Sequence, residues 1–182
     1  MSYIKQNELL LNKLLEFYKY KDNDNLQKML GIINGESRIS LRIVDWFATN
    51  YAKKHYTVYK LENDNRFKVY NDYKLNLKAY SKKRFDPFCR WERITIPYNG
   101  NVHIQTTIGQ LNFFKWAIQN KVVKYIEDNY AEIESDMNVR NSSAKQKNVN
   151  NCSKTRKKRE ELSISATKSI KKEEIEIEII FT

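Results

Sequence analysis

The chain has 182 residues, of which 41% are hydrophobic and 13% aromatic, and it carries a formal net charge of +11. Two cysteines and two histidines supply neither a disulfide framework nor zinc-ligand spacing, which fits a reducing, intracellular compartment and needs no metal. No stretch approaches the roughly 18 apolar residues that span a bilayer, so no membrane partner is expected. The apolar run near the start is broken by Asn12, Lys13 and Glu16, unlike a signal peptide.

The charge is unevenly placed. Residues 1–37 are neutral, 38–134 carry +7, 135–172 carry +8, and 173–182 carry −4. A folded body with a basic arm is the expected organisation, and its natural partner is a polyanion.

In chain order, Leu10, Leu11, Leu14, Leu15, Phe17 and Tyr18 recur at helical spacing. A second short helix is predicted from Leu26 to Ile33, stopped by Asn34-Gly35. Together these make an N-terminal helical segment, 1–37. Ser37 or Ser40 can cap the next helix, whose apolar positions are Leu41, Val44, Phe47, Ala48 and Tyr51. Arg42, Asp45, Thr49 and Lys53 are expected on its solvent side. Residues 56–66 read as a polar loop. A further helix is predicted from Phe67 to Lys82, with Tyr70, Tyr73, Leu77 and Tyr80 inward, and Asp86-Pro87 ends that region.

The sequence ERITIPYNGNVHIQTT reads as a β-hairpin turning at Asn99-Gly100, with Ile94 and Ile96 facing Val102 and Ile104. Thr107 and Gln110 then form a capping box for one long helix to about Asn129. Leu111, Phe114, Ile118, Val122 and Tyr125 line its inner face. The fold class is therefore α+β, helices with a small antiparallel hairpin sheet, and the core domain is expected over 38–134. Residues 135–161 lack apolar periodicity, and 135–172 read as a basic, disordered arm. Residues 173–182 alternate as a C-terminal strand. Its Ile175, Ile177 and Ile179 are expected to dock on the chain's own hairpin, or to pair with another copy or a partner protein.

Three basic groupings follow. Lys74, Lys78 and Lys82 make an i, i+4, i+8 ladder continued by Lys83 and Arg84; like charges at that spacing repel, and phosphates would neutralise them. Arg90 and Arg93 flank Trp91, a pattern suited to stacking on bases, although Trp91 as a core residue is the plainer expectation. Lys154, Arg156, Lys157, Lys158 and Arg159 resemble a nuclear-localisation cluster and equally a nucleic-acid arm. No P-loop, GxGxxG, GxSxG or HExxH motif is present, so a non-enzymatic protein without a cofactor is expected. His55, His103 and Cys89 read as ordinary structural residues, and Asp45, Asp72, Asp86 and Glu92 show no pairing by spacing alone.

The segments SLRIVDWFATNYAKK (40–54), FKVYNDYKLNLKAYSKKRFDPFCRWERI (67–94) and TTIGQLNFFKWAIQNKVVKYIEDN (106–129) resemble an uncharacterised family encoded by giant nucleocytoplasmic large DNA viruses, mimivirus-like. The tail KTRKKREELSISATKSIKK fits the same resemblance. It implies synthesis in an infected cell's cytoplasm, with action on viral DNA or RNA or packaging in the virion. It transfers no functional residue. The function expected from the sequence is non-specific nucleic-acid binding through backbone contacts. The alternative is an assembly protein that pairs through its terminal strand.

Overall fold

The computed structural model describes residues 2–19, 24–62, 64–89, 92–97, 102–150 and 172–174, with side chains described within 6–141. Helices α1 (Ser2–Lys19) and α2 (Asp24–Asn34) lie against the body. Leu14 and Tyr18 are buried, and the Tyr18 hydroxyl donates to the Leu111 carbonyl at 2.7 Å. The 1–37 segment thus shares one core with the rest. Gly35, at φ +76, ends α2, and the Glu36 N–H returns to the Gly31 carbonyl at 2.9 Å. This is the six-residue closing bond of a Schellman motif, in which a left-handed residue follows the helix.

Ser40, rather than Ser37, caps α3 (Leu41–Trp46), its hydroxyl accepting from the Ile43 N–H. The helix widens into a π-turn at Phe47–Tyr51 and finishes as α4 (Ala52–Lys54). Residues 56–66, expected as loop, instead hold a hairpin of β1 (Val58–Lys60) and β2 (Arg66–Lys68). Each strand sends a single aromatic inward, Tyr59 and Phe67, and their rings pack 5.4 Å apart. One inward residue per strand leaves no period for a sequence to reveal.

Helix α5 (Val69–Phe85) buries Val69, Tyr73 and Phe85. It is bent at Ser81, whose φ of 64 and ψ of 164 fall outside helical space. Its end lies against the start of α6 (Ile108–Gln119), where a Cβ on Gly109 would sit 2.8 Å from the Asp86 carbonyl oxygen. Only glycine lets the two backbones approach so closely.

Strands β3 (Arg93–Pro97) and β4 (Val102–Thr107) pair antiparallel, with Ile96 opposite Ile104 and Pro97 opposite His103. A two-residue Asn99-Gly100 turn would have set Pro97 opposite Val102. The register is shifted by one residue, so that Ile96 and Ile104 are both buried against the core. Asn99 and Gly100 themselves lie outside the described residues. Thr107 caps α6, accepting from the Gln110 N–H, while the Gln110 carboxamide oxygen accepts from the Thr106 hydroxyl.

The single long helix expected to Asn129 is broken at Lys121, which adopts φ +57, and resumes as α7 (Val122–Asp128). Helix α8 (Tyr130–Asn150) then crosses the boundary expected at 134/135. Ile133 and Met137 are buried in the common core, one turn apart. Asp136 accepts from Trp46 Nε1 at 3.3 Å and from the Lys54 ammonium, and the Arg140 guanidinium sits 5.5 Å above the Trp46 ring. The start of the expected arm is therefore part of the folded body.

Strand β5 (Lys172–Glu174) adds to the outer edge of β4, giving a sheet ordered β3-β4-β5. The fold is α+β, helices with two small antiparallel sheets. Ile175, Ile177 and Ile179 lie outside the described residues.

Candidate nucleic-acid interface

The expected α5 ladder divides at the Ser81 bend. Lys74 and Lys78 lie before it, both exposed, together with Asn71 and Leu75. These positions recur at i, i+3, i+4 and i+7, opposite the buried Val69 and Tyr73, and so form one outer stripe. Lys82 lies beyond the bend and pairs with Asp86 at 3.5 Å. Lys83 and the half-buried Arg84 turn into a cleft of ≈ 400 Å³ lined also by Asn7, Tyr80, Ser81, Glu92 and Ile108. The five basic residues predicted on one helix thus belong to two surfaces. Arg93 is exposed on β3. Lys154, Arg156, Lys157, Lys158 and Arg159 lie outside the described residues, as do Arg90 and Trp91.

The outer stripe continues toward the first hairpin. Asn71 lines a notch with Lys53, Tyr56, Thr57, Val58, Lys68 and Tyr70. Along the hairpin, Tyr56, Lys60, Arg66 and Lys68 border an adjoining depression. The Lys53 ammonium stands 5.6 Å from the Tyr70 ring centroid and that of Lys68 stands 5.8 Å from Tyr56, within cation–π range.

The carboxylates nearby are occupied elsewhere. Asp64 pairs with Lys60 and Glu62 with Lys121. Asp72, in the first turn of α5, turns inward to accept from Trp116 Nε1 at 2.6 Å and from Asn76 at 2.9 Å. Lys53, Arg66, Lys68, Lys74 and Lys78 accordingly have no carboxylate partner among the described residues. Their positive potential is open to solvent.

Sequence reasoning missed Tyr56 and its notch, because they sit in a stretch read as plain loop. It also placed Asp45 and Thr49 on the solvent side of their helix. Both are half-buried, since α5 packs against the π-turn there. Burial pushes the Asp45 carboxyl up to about 6, nearby Asp86 pushes the same way, and Lys82 offsets part of the effect. A carboxyl with a raised folded pKa stabilises the fold at low pH. That contribution is whole below the ordinary value of 3.8 and is lost as pH rises through about 6.

Asp45→Asn should therefore stabilise the protein at pH 7.5 by up to about 3 kcal/mol, the equivalent of a two-unit shift. Near pH 4 the gain should shrink to a small fraction of that. Urea midpoints at the two pH values check this, and an equal effect at both would refute it.

Elsewhere the titratable groups serve packing. His55 stacks on Tyr51 at 4.2 Å and lies 3.7 Å from Asp136. The Tyr51 hydroxyl donates to Glu132 at 2.6 Å, joining the π-turn to α8. Lys54, above all, holds the Asp136 carboxyl below its usual range. Cys89 is a half-buried free thiol. Among the described residues, no three His, Cys, Asp or Glu side chains gather as a metal site, and no helix is long and apolar enough to cross a membrane.

Fold and surface together define a small α+β protein that presents a basic face, without carboxylate partners among the described residues, beside an exposed tyrosine notch. The chain matches a family of unknown function, DUF7197, over residues 2–181, and it belongs to that family. It is 42% identical over 149 residues to Uncharacterized protein L507 of Acanthamoeba polyphaga mimivirus, a match covering 78% of this chain and 57% of that protein. The chain therefore spans little more than half the length of this relative. The resemblance to an uncharacterised giant-virus family is borne out. No solved structure matches the chain.

Proposed function

We propose that this protein binds nucleic acid through its folded body, without catalysis, by phosphate contacts from the face that joins α5 to the first hairpin. The supporting observation is the run of Lys53, Arg66, Lys68, Lys74 and Lys78, all exposed and lacking carboxylate partners among the described residues. Holding like charges on one folded face costs free energy that a polyanion recovers by releasing its counterions. Phosphate contacts carry no sequence information, so affinity should be broad and strongly salt-dependent. The basic arm with Lys154 and Arg156 to Arg159 would add affinity of the same kind.

The assembly reading draws less support. Lys172–Glu174 pairs with β4 of its own chain and so occupies that edge of the sheet.

The test is binding of a labelled duplex and a labelled single strand across a salt series, by the full chain and by residues 1–150. Ending the shorter chain at Asn150 keeps α8 whole. A steep salt slope in both chains, steeper in the full chain by what the arm adds, is the expected result and would locate binding on the body. Binding by the full chain alone would assign the effect to the tail and overturn the α5 face. Binding by neither near physiological salt would overturn the nucleic-acid reading altogether.

A further inference from the structure

Two helix ends in this chain close with the same motif, and one of them uses the wrong residue for it. After α2 the left-handed position is Gly35. After α4 it is Tyr56, at φ +48, and the Thr57 N–H returns to the Ala52 carbonyl at 3.1 Å, the counterpart of the Glu36–Gly31 bond. A left-handed conformation brings a Cβ against backbone and costs a non-glycine residue about 1 kcal/mol. A side chain is retained there at no net loss when its burial compensates. Tyr56 has no such return, because the residue is 67% exposed.

Surrounding groups point to what the ring would meet. The Lys68 ammonium lies near one side of it, and Lys53 and Asn71 line the same notch. Thr57, 7% exposed and also in the notch, carries a buried hydroxyl with no hydrogen-bond partner among the described residues. Its backbone is fixed on both sides, since its carbonyl accepts from the Val69 N–H at 3.3 Å. From Asn71 the exposed stripe runs on to Lys74 and Lys78. A flat aromatic surface, flanking ammonium groups and a spare hydroxyl match the chemistry of an unstacked nucleotide. A duplex keeps its base faces inside the stack and offers this notch only phosphates.

We infer that Tyr56 is a base-stacking subsite for single-stranded nucleic acid, with Lys68, Lys74 and Lys78 tracking the phosphates of the same strand. This inference rests on the nucleic-acid reading above and adds to it a preference for unpaired strands.

Tyr56→Gly tests it cleanly, because glycine is the residue the backbone favours and the variant should fold with undiminished thermal stability. Anisotropy titrations of the full chain would use a labelled oligothymidylate and a labelled duplex of equal length. The native chain should bind the single strand more tightly. Tyr56→Gly should weaken single-strand binding by roughly tenfold, within the range seen when one stacking ring is removed, and leave the duplex unchanged. Tyr56→Trp should restore the preference.

If Tyr56→Gly binds the single strand as tightly as the native chain does, the stacking subsite is refuted while phosphate binding stands. Equal losses on both nucleic acids would likewise refute it, by making Tyr56 a general support of the face. If the native chain binds neither, the proposed function fails and this inference fails with it.

Discussion

Replacing Phe113 with alanine should remove about 3–5 kcal/mol of stability, the cost of deleting a fully buried aromatic from a packed core. Phe113 is 0% exposed and touches rings from α5 and from its own helix, α6. It meets Tyr73 of α5 edge-on at 6.3 Å, Phe85 at 5.8 Å, Phe114 at 5.7 Å and Trp116 at 5.7 Å. Neighbours so engaged cannot collapse into the space without breaking other contacts; Trp116, for one, is tied to Asp72 through its indole N–H. Small domains hold about 5–15 kcal/mol in total, so the variant should be only marginally folded. Urea unfolding should show a lower midpoint at nearly constant slope. Tyr80→Ala is the contrast: that ring is half-buried and stacks only on Phe85 among the described rings, so its loss should cost clearly less. Equal costs would mean that the core is not centred on Phe113.

What the sequence made legible was whatever repeats. The inward faces of α1, α5 and α6, the Ser40 and Thr107 caps, and the β3–β4 pairing all follow from periods of 3.6 or 2, or from short cap motifs. What it concealed has no period to find. Lys121 interrupts the long helix in a left-handed conformation, without the glycine or proline that marks such a break. Among its described side chains, helix α8 buries Ile133 and Met137 and is further anchored by polar and cation–π contacts to Trp46 and Lys54. Two apolar anchors in a lysine- and asparagine-rich segment look like a tail until the partner helix is placed beside them.

The candidate site followed the same division. Lys74 and Lys78 were legible as a ladder because helix spacing fixes their common face. Lys82 was assigned to that face on the assumption of a straight helix, and the Ser81 bend removes it. Lys53 comes from α4, and Arg66 and Lys68 from β2, the strand that leads into α5; the hairpin's return beside α4 brings Lys53 into the same notch as Lys68 and Asn71. Tyr56 could not be read at all, since a tyrosine in the position of a helix-ending glycine carries no local signature. The usable hint was the aromatic and β-branched content of Tyr56-Thr57-Val58-Tyr59, which is rich for a plain polar loop.

The triple reversal Lys68→Glu, Lys74→Glu, Lys78→Glu should have the larger effect on function. None of the three has a carboxylate partner among the described residues, and all are exposed, so the fold should keep its thermal stability. Each lost phosphate contact flattens the logarithmic salt dependence by about 0.9 on a duplex, so the slope should fall by about 3. Affinity at low salt should drop about a hundredfold or more, because each reversal also places a repelling carboxylate near phosphate. Lys82→Glu with Lys83→Glu is the matched control, two charge reversals on the far side of the bend. If the α5–hairpin face is the contact surface, this control should change the slope far less than the triple variant does. A triple variant with native slope and affinity would remove that face from consideration and leave the arm at Lys154 to Arg159 as the source of any binding. An equally large effect from the control would show that the protein responds to net charge alone, and the continuous lysine face would then have no special role.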